Sequence, residues 1–224
     1  HTTDGIGRRN SVDDGGWDSS RIRFEGVEDL GNGLAISFRQ EYGTRLDRGV
    51  GSLSARKSWL ALDSKTWGSV KAGSFGNVHD DINGFSEVGG MGYGNSVLDM
   101  LTTETTYNAL QYVSPLFSGL QFKLGLSSND INADDVDDDS VANVRAYSGV
   151  VSYVNGPLKA GLSYDRKKLD DATLKEMLLS VGYNFGVVMV GAGYDRSKSE
   201  DGYIGNLHGA AYGTDWTKKA WRLN

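Results

Sequence analysis

The sequence has no cysteine, almost no proline and no long apolar run. Without Cys, neither a disulfide framework nor a thiolate metal site can form. Only 2 of the 224 residues are Pro, which argues against a disordered linker protein. No run of about 18 apolar residues is present, so no transmembrane helix is predicted. The polar first twenty residues show no signal-peptide pattern either.

The net charge argues against one class of protein, and the composition favours many short strands. The formal net charge of -6 argues against a generally basic protein that coats nucleic acid, so no nucleic-acid partner is expected. The 31 Gly residues are roughly twice the average usage, and with 11 Tyr they are typical of strands and turns. A mean hydropathy of -0.40 is compatible with a membrane barrel, because its strands alternate lipid-facing and lumen-facing residues.

Apolar and polar residues alternate along about eleven segments, the pattern of half-buried strands. The segments are residues 20–27, 34–42, 56–63, 68–75, 105–113, 120–127, 144–153, 158–166, 176–185, 187–195 and 217–223. Short turns and longer loops alternate between them, as in an up-and-down barrel. A soluble sandwich can also alternate, but the small Gly- and Ser-rich opposite faces favour the membrane. We therefore predict one all-β domain over residues 1–224, a transmembrane antiparallel up-and-down β-barrel.

A long connection, residues 77–104, interrupts this pattern. It holds five glycines and neither Lys nor Arg. Loops of this length inside a compact fold are uncommon and usually functional or disordered. We predict that it enters the barrel lumen and narrows it, with Asp80, Asp81, Glu87 and Asp99 as candidates for lining the pore. The alternative is that each carboxylate bonds the loop to the wall or caps a turn.

Basic residues share one face of the strands that precede this loop. Strand parity places them on the face away from lipid: Arg21, Arg23, Arg39, Arg56 and Lys71. Lys57 has the opposite parity and is expected at the rim, where it can snorkel. A positive wall facing an acidic loop would set a transverse field that filters ions. The alternative is that these are solvated charges without a special role.

Four segments resemble Gram-negative general porins of the neisserial and beta-proteobacterial type. Residues 20–34, Ser-Arg-Ile-Arg-Phe-Glu-Gly-Val-Glu-Asp-Leu-Gly-Asn-Gly-Leu, are similar to that family's second strand, turn and third strand. Residues 56–62 and 67–73 resemble its fourth and fifth strands. Residues 108–115 and 117–120 resemble the sixth strand and its turn, and residues 153–158 resemble the turn after the eighth strand.

The resemblance implies a 16-stranded outer-membrane barrel, usually a homotrimer, in contact with outer-membrane lipid and lipopolysaccharide. It also implies that 77–104 is the third external loop, folded inward as the constriction. Counted against the family, the first strand and the last four are missing, so the chain is expected to be a partial barrel. Ser74 and Gln111 stand where the family often has Arg, so ion selectivity does not carry over from relatives.

No catalytic or metal-binding constellation stands out. Five acidic residues in one loop are a candidate calcium-binding site: Asp134, Asp135, Asp137, Asp138 and Asp139. Their spacing lacks the Gly and closing Glu of an EF-hand, so a solvated external loop is expected. The three histidines, His1, His79 and His208, are scattered. No cofactor is expected, and the Gly89-Gly90-Met91-Gly92 cluster opens no helix after a strand, so it is not a nucleotide-binding loop.

The sequence thus predicts a non-enzymatic outer-membrane channel for passive diffusion of ions and small hydrophilic solutes. The alternatives are an outer-membrane adhesin, a soluble ligand-binding barrel and, more weakly, an outer-membrane barrel enzyme.

Overall fold

The computed structural model describes residues 20–44, 53–76, 78, 80–86, 105–130, 143–169, 172–200 and 215–224. The strands there are β1 (Ser20–Gly31), β2 (Leu34–Thr44), β3 (Ser54–Ser64), β4 (Gly68–Gly76), β5 (Thr105–Val113), β6 (Leu120–Asp130), β7 (Asn143–Asn155), β8 (Leu158–Leu169), β9 (Ala172–Asn184), β10 (Met189–Glu200) and β11 (Trp216–Leu223). One short helix, α1 (Asp80–Asn83), continues as a 3-10 turn, Gly84–Ser86, between β4 and β5. Within these ranges, no helix is both long and apolar enough to span a bilayer.

The described strands form a single 11-stranded sheet in sequence order, with every neighbouring pair antiparallel. This confirms the predicted all-β, up-and-down architecture, and a strand forms at each predicted segment. Consecutive antiparallel strands pair readily because a short hairpin turn is enough to join them.

Most strands extend beyond their predicted bounds, and one predicted turn was wrong. β9 begins at Ala172 and β10 continues to Glu200, beyond the predicted 176 and 195. The extra residues are largely charged or polar, but backbone pairing does not require apolar side chains, and the ladders run on. The turn between β9 and β10 is also wider than a single Gly186, because Phe185 N donates to Val188 O at 2.8 Å and Val187 is 97% exposed.

The sheet has two chemically different faces. Large apolar side chains are exposed on the outward face, among them Leu60, Leu62, Leu124, Leu126, Val151, Leu162 and Leu179. The residues that alternate with them on β8 and β9, such as Gly161, Ser163 and Ser180, are small, polar and buried on the inner face. A soluble barrel would not leave so extensive an apolar surface in water, so this exposure counts against the soluble alternative.

The apolar core lies on the inner face, beneath the connection between β4 and β5. It consists of Val78, Ile82, Val150, Leu178 and Ala220, with Phe85 packed against it. Leu178 is an apolar residue between Glu176 and Ser180 on the inner face of β9, and it is fully buried in the same cluster as Ile82.

Candidate functional site

The first part of the site is a buried carboxylate that gathers arginines on the inner face. Glu41 on β2 is only 1% exposed, and Arg23 on β1 donates to its Oε2 from Nη2 at 2.8 Å and from Nε at 2.9 Å. Arg56 Nε lies 3.4 Å and Arg21 Nε 4.0 Å from Glu41 Oε1. We call Arg21, Arg23, Glu41 and Arg56 the arginine cluster. Its one buried carboxylate fixes three cations whose side chains remain 22–43% exposed.

The strand register brings this cluster together. Arg23 pairs with Glu41 across β1 and β2, and Glu25 pairs with Arg39 one position further along the same face. The register between β2 and β3 then shifts at a β-bulge, where Glu41 pairs with Lys57. The bulge changes the strand parity, so Arg56 reaches Glu41 while Lys57 also lies opposite it. The sequence-based expectation of Lys57 at the rim was a miscount of parity, because Lys57 shares the parity of Trp59 and Ala61 and lies in regular register opposite Glu41.

The other two predicted basic residues lie beside the arginine cluster. Arg39 Nη2 is 2.9 Å from Glu25 Oε2, and its guanidinium lies over the ring of Trp59 at 5.6 Å. Lys71 Nζ lies over Trp59 at 5.3 Å and over Phe75 at 4.4 Å, so aromatic faces hold this ammonium group. All five predicted basic residues therefore lie on one continuous face of β1–β4.

The second part of the site is the start of the long connection, which we call the inward segment: residues 78 and 80–86. Asp81 accepts from Lys123 Nζ on β6 at 2.8 Å, the arrangement in which a loop carboxylate bonds to the wall. Asp80 begins α1. The other predicted acidic residues, Glu87 and Asp99, lie outside the described residues, as do the glycines from Gly89 to Gly94, His1, His79, His208 and the acidic residues of 134–139.

Glycines on three strands make room for the inward segment. A Cβ added to Gly182 on β9 would lie 1.9 Å from the carbonyl oxygen of Phe85. A Cβ on Gly191 of β10 would lie 2.3 Å from the carbonyl oxygen of Ser86. A Cβ on Gly161 of β8 would lie 2.4 Å from Ile82 Cγ2. These three glycines, which we call the glycine seat, let the segment's backbone approach the wall more closely than any side chain would allow.

Arg222, on the last described strand, fastens the same segment. Its guanidinium donates from Nη2 to the carbonyl oxygen of Asn83 at 2.7 Å and from Nε to Ser86 Oγ at 3.1 Å. Nη2 also donates to Asn83 Oδ1 at 3.2 Å. Asn224 adds a bond from Nδ2 to the carbonyl oxygen of Ser86 at 2.8 Å. Arg222 is 9% exposed, so these bonds are largely protected from water.

Buried carboxylates line the inner face of β8–β10, on the side of the sheet that carries the seat. Asp165, Glu176 and Asp195 are 1–4% exposed. Asp165 pairs with Glu176 across β8 and β9, and Ser197 Oγ donates to Asp195 Oδ1 at 2.9 Å. Among the described residues, no three potential ligands are placed to hold a metal ion. The inner face thus gathers arginines over β1–β4 and buried carboxylates over β8–β10.

Several of these residues were missed in the sequence. Glu41, Lys123, Arg222 and the carboxylates of β8–β10 were not singled out. The available signal was local: Leu178 breaks the alternation of β9, and an apolar residue on a polar face indicates that something packs over it.

Comparison with known proteins identifies the family. The family model of Gram-negative porins matches residues 2–222, so the chain belongs to that family. An outer membrane porin protein of Bordetella pertussis is 34% identical over 204 residues, covering 82% of this chain and 52% of that protein.

Solved structures agree with the fold. The chain superposes on an anion-selective porin from Comamonas acidovorans with a TM-score of 0.65 at 22% identity, covering 91% of this chain and 62% of that one. A loop L8 deletion mutant of OmpT, an outer membrane protein of Vibrio cholerae, has a TM-score of 0.50 at 19% identity, with 92% and 78% covered. The chain thus spans about half the length of the Bordetella relative and under two thirds of the Comamonas structure.

Proposed function

We propose that the protein forms a water-filled channel in the outer membrane of a Gram-negative bacterium, through which ions and small hydrophilic solutes diffuse passively. The observation that carries this proposal is the two-faced sheet. Its outward face is apolar and exposed, and its inner face holds paired charges, serines and glycines. This is the chemistry of strands with lipid on one side and water on the other. Membership of the porin family supports it, and porins are channels rather than enzymes.

The constriction of this channel is the connection 77–104. Its inward segment lies on the inner face, held by Arg222 and the glycine seat. The basic pore lining is Arg21, Arg23, Arg39, Arg56 and Lys71, and the acidic loop residues are Asp80, Asp81, Glu87 and Asp99. The size of a solute and the electric field between the basic and acidic groups then determine whether the solute passes. The field matters because charges that face each other across a narrow passage are screened less than charges in bulk solution.

The complete channel is a closed barrel, of which residues 1–224 form a single incomplete domain. Eleven strands alone would leave two unpaired edges in lipid, so we propose a 16-stranded barrel.

We also propose a homotrimer. On the outward face Gln40, Ser58 and Ser74 stand in one row, and Gln40 Nε2 donates to Ser58 Oγ at 2.6 Å. Polar side chains facing lipid are unfavourable, and a subunit contact would cover them.

Planar-bilayer recording of the full-length protein tests the channel. Discrete conductance steps are expected, and a protein that inserts without opening pores would favour an adhesin instead.

In a salt gradient, Arg21→Glu with Arg39→Glu is expected to shift the reversal potential toward cation selectivity, because both residues lie on the inner face. The matched control is Arg166→Glu with Arg196→Glu, the same charge change on the outward face, which should leave the potential unchanged. Equal shifts in the two variants would contradict the pore-lining assignment.

A further inference from the structure

A pocket lies on the inner face of β8–β10, at the end of the sheet where the short turns are. Its volume is about 400 Å³, which is within the range of small-molecule sites in proteins. We call it the rim pocket, and the residues that line it include Phe85, Pro157, Lys159, Gly182, Asn184 and Met189. None of these belongs to the arginine cluster or to the acidic residues of the constriction, so the rim pocket is a separate feature of the inner face.

The strand register builds the rim pocket. Lys159 on β8 lies opposite Gly182 on β9, and Asn184, two positions further along β9, lies opposite Met189 on β10. Because side chains in a strand alternate between faces, these four residues share the inner face. Gly182 leaves room for the backbone of Phe85, whose carbonyl oxygen lies where a Cβ would be. The inward segment therefore borders the pocket on one side, and the turns after β7 and β9 border it on the other.

The polar groups of the pocket are one cation and one amide. Lys159 is exposed, and within the described ranges its ammonium group has no ion-pair partner. Asn184 Oδ1 accepts from Gly186 N at 2.8 Å, so its Nδ2 is the group that can donate to a ligand. Diagonal neighbours on adjacent strands are within reach of long side chains. A carboxylate has two acceptor oxygens and can therefore bind Lys159 and Asn184 together.

Apolar residues line the rest of the pocket. They are Phe85 from the inward segment, Pro157 from the turn after β7 and Met189 from β10. The thioether of a methionine adapts to irregular shapes and makes favourable contacts with aromatic rings. A bare inorganic anion would leave these apolar groups in water, and an uncharged hydrocarbon would leave Lys159 without a partner. A ligand that contacts every part of the pocket carries both a carboxylate and an aromatic ring.

We propose that the rim pocket binds small aromatic carboxylates, with the carboxylate at Lys159 and Asn184 and the ring between Phe85 and Met189. The short turns of outer-membrane barrels face the periplasm, so such a solute reaches the pocket after it has passed the inward segment. A binding site at this position raises the local concentration of aromatic acids over that of equally charged acids without a ring. The inference rests on the proposed water-filled lumen, because solutes reach the inner face through it.

Binding of para-fluorobenzoate to the full-length protein in detergent micelles tests the proposal. Fluorine NMR measures saturable binding, and protein-free micelles give the background from partition into detergent. Lys159→Gln removes the cation of the pocket. Asn184→Asp keeps an acceptor for Gly186 N but places a negative charge beside the carboxylate of the ligand. Lys65→Gln is the matched control, because Lys65 is an exposed lysine in the short turn between β3 and β4.

Loss of one charged hydrogen bond should make Lys159→Gln bind para-fluorobenzoate roughly tenfold more weakly than the parent. Asn184→Asp should lose at least as much affinity, and Lys65→Gln should bind as the parent does. Two further probes separate the parts of the ligand. Fluoroacetate has the carboxylate without the ring and should bind the parent more weakly. para-Fluorobenzyl alcohol has the ring without the carboxylate and should bind the parent and Lys159→Gln equally.

The proposal is overturned if the parent shows no saturable binding, if either pocket variant keeps parental affinity, or if Lys65→Gln loses as much. Equal affinities for fluoroacetate and para-fluorobenzoate would also overturn it, by showing a site for anions of any kind. Weaker binding of the alcohol to Lys159→Gln would contradict it too, since Lys159 would then shape the pocket rather than bind the carboxylate.

Planar-bilayer recordings of the same proteins separate the rim pocket from the channel. Conductance steps without saturable binding would refute the pocket and leave the channel standing. Saturable binding without pores in any variant would refute the channel and leave the pocket standing.

Discussion

Replacing Arg222 by Met tests whether the last described strand holds the inward segment in place. Met keeps most of the side-chain length but removes the guanidinium, so the Asn83 carbonyl and the Ser86 hydroxyl lose their charged donor. Both residues are at least 96% buried, so water does not readily replace that donor. Hydrogen bonds to charged groups contribute about 1.5 kcal/mol or more each, so losing two weakens the segment locally by about 3 kcal/mol.

Hydrogen–deuterium exchange of the backbone amides of residues 80–86 measures this loss. A change of about 3 kcal/mol corresponds to roughly 150-fold faster exchange through local opening. Single-channel recordings should show more current noise at the same time, because a detached segment moves within the lumen. Lys219→Met is the control, since Lys219 lies on the outward side of the same strand.

Three results would refute this reasoning. Unchanged exchange at 80–86 in Arg222→Met would mean that the guanidinium does not hold the segment. Equally fast exchange in Lys219→Met would mean that any substitution on β11 loosens it. Faster exchange throughout β8–β10 would indicate global destabilisation, in which case Ser86→Ala, made from the loop side, must reproduce the local effect alone for the argument to stand.

Two further predictions concern the glycine seat and the arginine cluster. Gly182→Ala places a methyl group against the Phe85 carbonyl oxygen, so the inward segment must move and the single-channel conductance should change. The control is Gly149→Ala, which should conduct as the parent does because no neighbouring atom lies nearer than 3.6 Å to the added methyl group. Glu41→Gln removes the carboxylate that balances three arginines, so the reversal potential in a salt gradient should move toward anion selectivity. Parental conductance in the first variant, or a shift toward cations in the second, would contradict these assignments.

Alternation along single strands was enough to predict much of this arrangement. Because side chains in a strand point to opposite faces in turn, parity placed Arg21, Arg23, Arg39 and Lys71 on one face. Arg56 reached that face for a different reason, the bulge opposite Glu41, which no local pattern announced. Parity counting fails wherever a bulge inserts a residue, whereas Lys57 lies in regular register before the bulge and was placed on the wrong face by a miscount of parity.

Contacts between distant parts of the chain could not be predicted in this way. Nothing near Asn83 in the sequence indicates Arg222, because their contact depends on the shape of the whole sheet. Alternation placed small residues such as Gly161, Gly182 and Gly191 on the face opposite the apolar one. Their structural role is evident only from the inward segment that lies on them. Side-chain type indicates which face a residue occupies, and only the fold shows what covers it.

The contact between Arg222 and the inward segment also has a consequence for the order of folding. Arg222 binds residues that precede it by 136 and 139 positions, so this contact closes one of the longest loops in the described chain. Contacts of such sequence separation form late, since the entropy of the intervening chain must be lost first. During biogenesis the strands can therefore pair one after another while the inward segment is still loose. The inward segment is fixed against the sheet only when β11 has been added.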